Sequence, residues 1–432
     1  MAPKKGKKGK KKGGKKKKMK GMLQNPDILV KRLMKTYEMN CRNTNTLLCM
    51  GVKKLMKACI EKNQLLVKLV IEPVPVETKD DLQVKLEPLI AAVRSERYTY
   101  IKDIYVWDLF LEHSNIATLS LMLEKGFYQV RVVELIDCLI QPYGATRLAR
   151  TFNYCHTLTT LCLDYNEFSD EGCQGLCEGL VGNKTLLSLS LNYCDLGKAS
   201  GKMLGKMVTT TALQELYLDG NNLRCEGTIE LIKVLAERAE QDYYQKIEDE
   251  NRKLEEEQKL LEAEKEARLN PTLGTTRIGS EKSDVSNKSS SKKGKKGKGK
   301  KGKKKGKSKK KKKEVIPPLV GPWLHKLHIA DNGIDSYGEV AFAPVIAMRL
   351  FRQWITFSDC LQEIDLDKNL IGNLGGREIL EGIKTRKEAK LKSIGIRVTH
   401  RMTEDLFTDI NKSGSGVKKK KGKKGKGKKK KK

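Results

Sequence analysis

Residues 158–183 read LTTLCLDYNEFSDEGCQGLCEGLVGN. Apolar side chains alternate at Leu161 and Leu163 after Leu158, then recur at helical spacing through Phe168, Gly172, Leu176 and Leu180, with Asn166 between the two patterns and Asn183 after them. Alternation places one face of a strand inward, and recurrence every three or four residues places one face of a helix inward. The same template returns 28 residues later through Leu186, Leu189, Leu191, Cys194, Leu196, Leu204 and Val208. It returns 27 residues after that through Leu213, Leu216, Leu218, Asn221, Leu223, Gly227, Leu231 and Leu235. Going backwards it fits Val130, Val133, Leu135, Cys138, Ile140, Gly144, Leu148 and Phe152, and then Ile101, Ile104, Val106, Leu111, Leu119 and Leu123. Five registers in succession make a repeat.

Each unit reads as a short strand, a turn and a returning helix. The Asn or Cys three residues after the strand can hydrogen-bond neighbouring backbone where the chain turns, and so form a ladder along the array. No unit can bury its apolar face alone, so the units must stack into a curved solenoid. The LxxLxL pattern and its spacing resemble the leucine-rich repeat family, in the ribonuclease-inhibitor-like class with repeats of about 28 residues. That resemblance implies an α/β solenoid with parallel inner strands and outer helices, strongest over residues 100–236.

The array resumes at Leu324, Leu327, Ile329, Asn332, Ile334, Gly338, Phe342 and Ile346, and again at Leu361, Ile364, Leu366, Asn369, Ile371, Gly375, Ile379 and Ile383. A degenerate last copy holds Leu391, Ile394 and Ile396 with Thr399 at the asparagine position. Helices over 26–40 and 47–62 read as an N-terminal cap, followed by a strand around Leu66, Leu69 and Ile71, an irregular EPVPVETKDD loop and a helix over 82–94. Between the two blocks, the helix ending near Leu235 runs on as a charged segment in which Ile247, Leu254 and Leu261 recur every seven residues. Either a solvated single helix or a coiled coil accounts for it. A Ser/Thr/Gly-rich stretch that reads as disordered follows Asn270-Pro271 and leads into the lysine run 292–313. The predicted organisation is a polylysine tail (1–22), cap and irregular first repeat (23–99), repeats (100–236), helical and disordered insert (237–315), repeats with C-terminal cap (316–411) and a second tail (412–432).

Three lysine runs carry the basic charge: 12 lysines in residues 1–20, 16 in 292–313 and 12 in 418–432. These 40 exceed the net charge of +34 by six, so the rest of the chain is mildly acidic. A basic nucleic-acid-binding fold is thereby set aside. No apolar stretch is long enough to span a membrane, and no apolar segment follows the basic N-terminus as a secretory signal would require. The 11 cysteines lack paired CxxC motifs and read as reduced, packed thiols of an intracellular protein. Cys173 and Cys177 share a helix face without nearby histidines, so no metal site is expected there. His325 and His328 read as surface histidines. Gly197-Lys-Ala-Ser-Gly201-Lys202 has one residue too few for a phosphate loop. No catalytic motif or cofactor fingerprint occurs, and no enzyme activity is expected. The Ran-type GTPase-activating proteins resemble this repeat class but carry an acidic segment after their repeats, where this chain carries lysine.

The inner strand face supplies the expected binding site. Trp107, Glu134, Cys162, Ser190, Tyr217, His328 and Asp365 are read as the residues between inward leucines. Asp108, Asp137, Asp164, Tyr165, Tyr193, Asp219, Asp331 and Asp367 follow them. Aspartates at this point also cap turns, but the four aromatics favour a partner protein segment that carries Lys or Arg and apolar anchors. The runs (Lys4, Lys5, Lys7, Lys8; Lys309, Lys310, Lys311; Lys428, Lys429, Lys430) lack arginine and aromatics, so they neither read bases nor stack on them. They suit an anionic polymer such as the acidic surface of microtubules or RNA. Ends of the MAPKKGKKGK kind resemble those of cilium- and flagellum-associated proteins, which implies a cytoplasmic, cytoskeletal location. A nuclear or nucleolar RNA-associated protein is the alternative, and folding of the arms onto the acidic face is a third reading.

Overall fold

The computed structural model describes residues 25–75, 82–269, 320–335 and 342–414. Its contacts divide the chain into two units, Met1–Gln241 with Pro318–Lys432, and Asp242–Pro317. The described part of the first unit is organised around one parallel sheet in sequence order. Its strands are β1 (Lys68–Ile71), β2 (Asp103–Trp107), β3 (Val132–Ile136), β4 (Thr160–Cys162), β5 (Ser188–Ser190), β6 (Glu215–Tyr217), β7 (Lys326–His328), β8 (Glu363–Leu366) and β9 (Gly395–Val398). A helix follows each strand: α3 (Glu87–Ser95), α4 (His113–Leu123), α5 (Pro142–Ala149), α6 (Ser169–Leu180), α7 (Lys198–Thr210), α8 (Arg224–Leu269), α9 (Ala343–Phe357), α10 (Gly372–Glu388) and α11 (Glu404–Ser413). The sheet is parallel because each helix carries the chain back before the next strand begins.

Register follows the apolar template. Ile104, Val133, Leu161, Leu189, Leu216, Leu327, Ile364 and Ile396 line up across the sheet, and none is more than 2% exposed. Glu215 pairs directly with Lys326, so the array closes over the insert without losing a strand.

The turns after β3 to β8 hold a second, polar line. Asn166 accepts the N–H groups of Cys138 (3.0 Å) and Ile140 (3.1 Å) on its side-chain oxygen and donates to the carbonyls of Leu135 (2.7 Å) and Leu163 (2.9 Å). Asn221 does the same one repeat further, accepting from Cys194 and Leu196 and donating to Leu191 and Leu218. Asn332 donates to the Leu218 carbonyl at 2.8 Å, which carries the ladder across the insert, and Asn369 accepts from Asn332 and Ile334. Cys138 and Cys194 take the alternate places and give their thiols to backbone carbonyls. Burial pushes the Cys138 thiol up to about 12.

At the N-terminal end, α1 (Pro26–Asn43) and α2 (Met50–Glu61) seal the first repeat with Val30, Leu33, Tyr37, Val52 and Met56. The second of these helices starts three residues later than the pattern predicts, because Leu47 makes a parallel bridge with Val84. Helix α3 starts five residues later than predicted, with Pro88 in its first turn, where a missing N–H costs nothing. At the other end Arg386, within the charged run TRKEAK, is 2% exposed. Its guanidinium donates to the carbonyls of Ile355, Ser358, Leu361 and Lys392, which satisfies the last turn of α9 with a cation where the helix dipole favours one. Gly201 lies where a Cβ would stand 2.0 Å from the Gly227 carbonyl oxygen, so the GKASGK glycines serve helix packing. The polylysine runs, the linker 270–291 and residues 76–81 of the irregular loop lie outside the described residues.

Replacing Asn166 by Ala leaves two buried N–H groups without their acceptor, at a cost of about 3 kcal/mol. Chemical denaturation of the variant measures this; a loss under about 1 kcal/mol would mean that the freed groups find other partners.

Candidate protein-binding face

The face of the sheet opposite the helices is lined by the third residue of each strand. Across the register these are Val70, Tyr105, Glu134, Cys162, Ser190, Tyr217, His328, Asp365 and Arg397. Trp107 therefore does not share a row with Glu134 and Tyr217, as the spacing suggested. It pairs with Ile136, two positions further on, and Tyr105 holds the row place. The Tyr105 and Trp107 rings meet edge to face at 5.9 Å, and the Lys68 ammonium sits 3.9 Å from the Tyr105 centroid. The inward pair Ile104 and Val106 already leaves the place between them to Tyr105, so the register replaces Trp107 by Tyr105 in this row.

Beyond the strands, Tyr165 and Tyr193 stack face to face, with centroids 4.7 Å apart and planes 6° from parallel. Both sit in the left-handed backbone region and both are exposed, at 51% and 37%. The next repeat has Gly220 in this place, at φ +70°, and a Cβ there would stand 2.2 Å from Tyr193 Cε1. The glycine thus lets the Tyr193 ring lie on the backbone. Asp108 and Asp137 occupy the same turn position in the two preceding repeats, also with positive φ. Asp164 is tied down: it accepts from Ser190 Oγ (2.6 Å) and from the backbone and side-chain amides of Asn192 (2.9 and 3.0 Å).

The acids of the later repeats are used within the sheet. Asp219 accepts the Ala330 N–H at 2.8 Å. Asp365, only 2% exposed, pairs with Arg397 at 2.8 Å and accepts the Asp367 N–H at 3.0 Å. His328 is no free surface histidine: its Nε2 lies 2.9 Å from Glu363 and its ring meets Tyr217 edge to face at 4.8 Å. His325 is half-buried, and burial lowers its pKa. Tyr217 donates to Glu215 at 3.2 Å, and burial first, then Glu215, push its phenol above the usual range. Asp219, Asp365 and Tyr217 thus fasten strand to strand, and Asp365 has too little surface to meet a partner. Among the described residues no group of three or more His, Cys, Asp or Glu side chains is placed to hold a metal ion. The lysine arms lie outside the described residues.

A strand and an outer helix in each repeat, with a buried Asn or Cys in the turns after β3 to β8, define a leucine-rich repeat solenoid. A leucine-rich repeat family model matches residues 154–177 and 182–205. A stretch of 129 residues is 33% identical to the mouse (Mus musculus) ribonuclease inhibitor, covering 29% of this chain and 28% of that protein. NACHT, LRR and PYD domains-containing protein 4B of Mus musculus is 29% identical over 140 residues, 32% of this chain and 16% of its own length. Leiomodin-1 actin-binding site 2 is matched over 33% of this chain and 82% of that one, at 16% identity and a TM-score of 0.26, too low to carry an argument. The repeats are similar to leucine-rich repeats of the ribonuclease-inhibitor-like class, and the chain spans 16% and 28% of the length of the two relatives named.

Burial works against the Glu215 carboxylate, but the Lys326 ammonium at 2.6 Å outweighs it and holds the carboxyl below its ordinary value. A folded pKa that is depressed gives stability present above the unfolded value and lost as pH falls through the folded one. Asp219 and Asp365, raised mainly by burial, act in the opposite sense: their contribution is present in acid and lost as pH rises through their raised values. Lys326→Met should therefore cost about 0.5–1 kcal/mol at neutral pH and almost nothing once Glu215 is protonated. Urea denaturation at both pH values measures the difference; an equal loss at each would show that the lysine acts through packing.

Proposed function

We propose that this protein is a non-enzymatic scaffold. Its sheet face holds a protein segment while its lysine runs hold an anionic polymer, the acidic surface of microtubules before others. The first half rests on one observation, the exposed Tyr165–Tyr193 stack beside the Asp108 and Asp137 turns. Rigid aromatic anchors next to acids suit a segment with Lys or Arg between apolar side chains. The site lies on β2 to β5 and their turns, built from Tyr105, Trp107, Asp108, Asp137, Tyr165 and Tyr193. Protein binding is supported by the leucine-rich repeat family itself.

The second half rests on composition. Three runs hold 40 lysines in a chain whose remainder is mildly acidic. Lysine without arginine or aromatics gives salt-sensitive attraction and no base stacking, which favours a carboxylate-bearing polymer over RNA. The proposed location is accordingly the cytoskeleton, in a cilium or flagellum.

Co-sedimentation with microtubules across a salt series tests this reading. The full chain should pellet at low salt, lose binding steeply as salt rises, and lose it when all three runs are deleted. Binding that survives the deletion at moderate salt contradicts the role of the arms. Release by competing RNA from microtubules whose acidic tails are intact favours the RNA-associated alternative.

A further inference from the structure

Helix α8 carries an apolar line that neither the sheet face nor the lysine runs use. Ile247, Leu254 and Leu261 are 37%, 55% and 54% exposed and recur every seven residues, which places them along one seam as the d positions of a heptad. The a positions are Tyr244, 51% exposed, then Asn251, Gln258 and Lys265.

The flanking positions decide what this seam fits. Positions e and g are Glu248, Glu250, Glu255, Glu257, Glu262 and Glu264, all exposed. Charges at e and g set partner choice in coiled coils. A second copy would bring glutamate against glutamate in either orientation, which opposes self-pairing. The chain's own lysine run 292–313 has the opposite charge but no apolar side chain, so it leaves the seam uncovered. We infer that this part of α8 pairs with a helix of another protein, one with Leu or Ile along its seam except for a polar residue at the level of Asn251, and with Lys or Arg at e and g. Asn251 in the a row sets the register, because a buried amide requires a polar partner at its own level. The polar a positions also keep the pairing weak and reversible.

Two labelled peptides of about four heptads test this, with the same seam, Ile or Leu except for one Asn to meet Asn251, and either Lys or Glu at every e and g position. Binding to the full-length chain is read by fluorescence anisotropy at about 0.15 M salt. The Lys peptide should bind at least about tenfold tighter than the Glu peptide. A chain carrying Glu250→Lys, Glu255→Lys, Glu257→Lys and Glu262→Lys should invert that preference. Leu254→Asp should abolish binding while leaving folding unchanged, since Leu254 is more than half exposed. Lys-peptide binding unaffected by Leu254→Asp would reduce the effect to charge attraction and overturn the proposal. So would failure of both peptides to bind. Sedimentation velocity closes the other route: self-association that Leu254→Asp removes would make the occupant a second copy.

Discussion

A parallel array of three- to five-residue strands is held together by very few hydrogen bonds per strand, so its turns must do the joining. The buried asparagine does this. One amide accepts two N–H groups from the repeat before it and returns its own N–H groups to two carbonyls, which gives four buried backbone groups a partner. Cysteine fills the alternate places because a thiol donates weakly and fits the same space, while the neighbouring Asn supplies the acceptor its backbone needs. The apolar rows set which face points inward, and the ladder sets the distance and angle from one repeat to the next.

This explains how a long insert can enter the array without dividing it. The Asn332 amide meets the Leu218 carbonyl across the insertion, β6 pairs with β7 in the ordinary register, and Lys326 reaches Glu215 beside that pairing. Closing a long loop costs only slightly more than closing a short one, because the entropy grows as the logarithm of length. The joining contacts therefore need to supply little more at this boundary than at any other.

Much of the fold was legible because LxxLxL with Asn or Cys three residues on fixes strand, face and turn together. Pattern alone places residues in rows and says nothing about their neighbours. The row place assigned to Trp107 is the one that the inward pair Ile104 and Val106 leaves to Tyr105, and the pairing of Trp107 with Ile136 corrects it. Asp365 reads like Asp164 or Asp367 until Arg397 arrives from the next strand and buries it. Arg386, in a run of charges, closes the end of α9 through carbonyls of other elements. The burial of Asp365 likewise comes from a partner on the next strand that local spacing cannot supply. The Tyr165–Tyr193 stack was half legible, since spacing put both in one stripe but not ring on ring.

The central claim is that the repeats before and after the insert form one array, joined directly by β6 and β7. Amide hydrogen exchange on a chain in which residues 242–317 are replaced by a short Gly/Ser linker tests it most directly. The claim predicts that the amides of Leu216, Leu218 and Leu327 keep the protection they have in the full chain, and that the protein unfolds in one transition. Loss of protection at these three positions, or separate unfolding of the two repeat blocks, would contradict it.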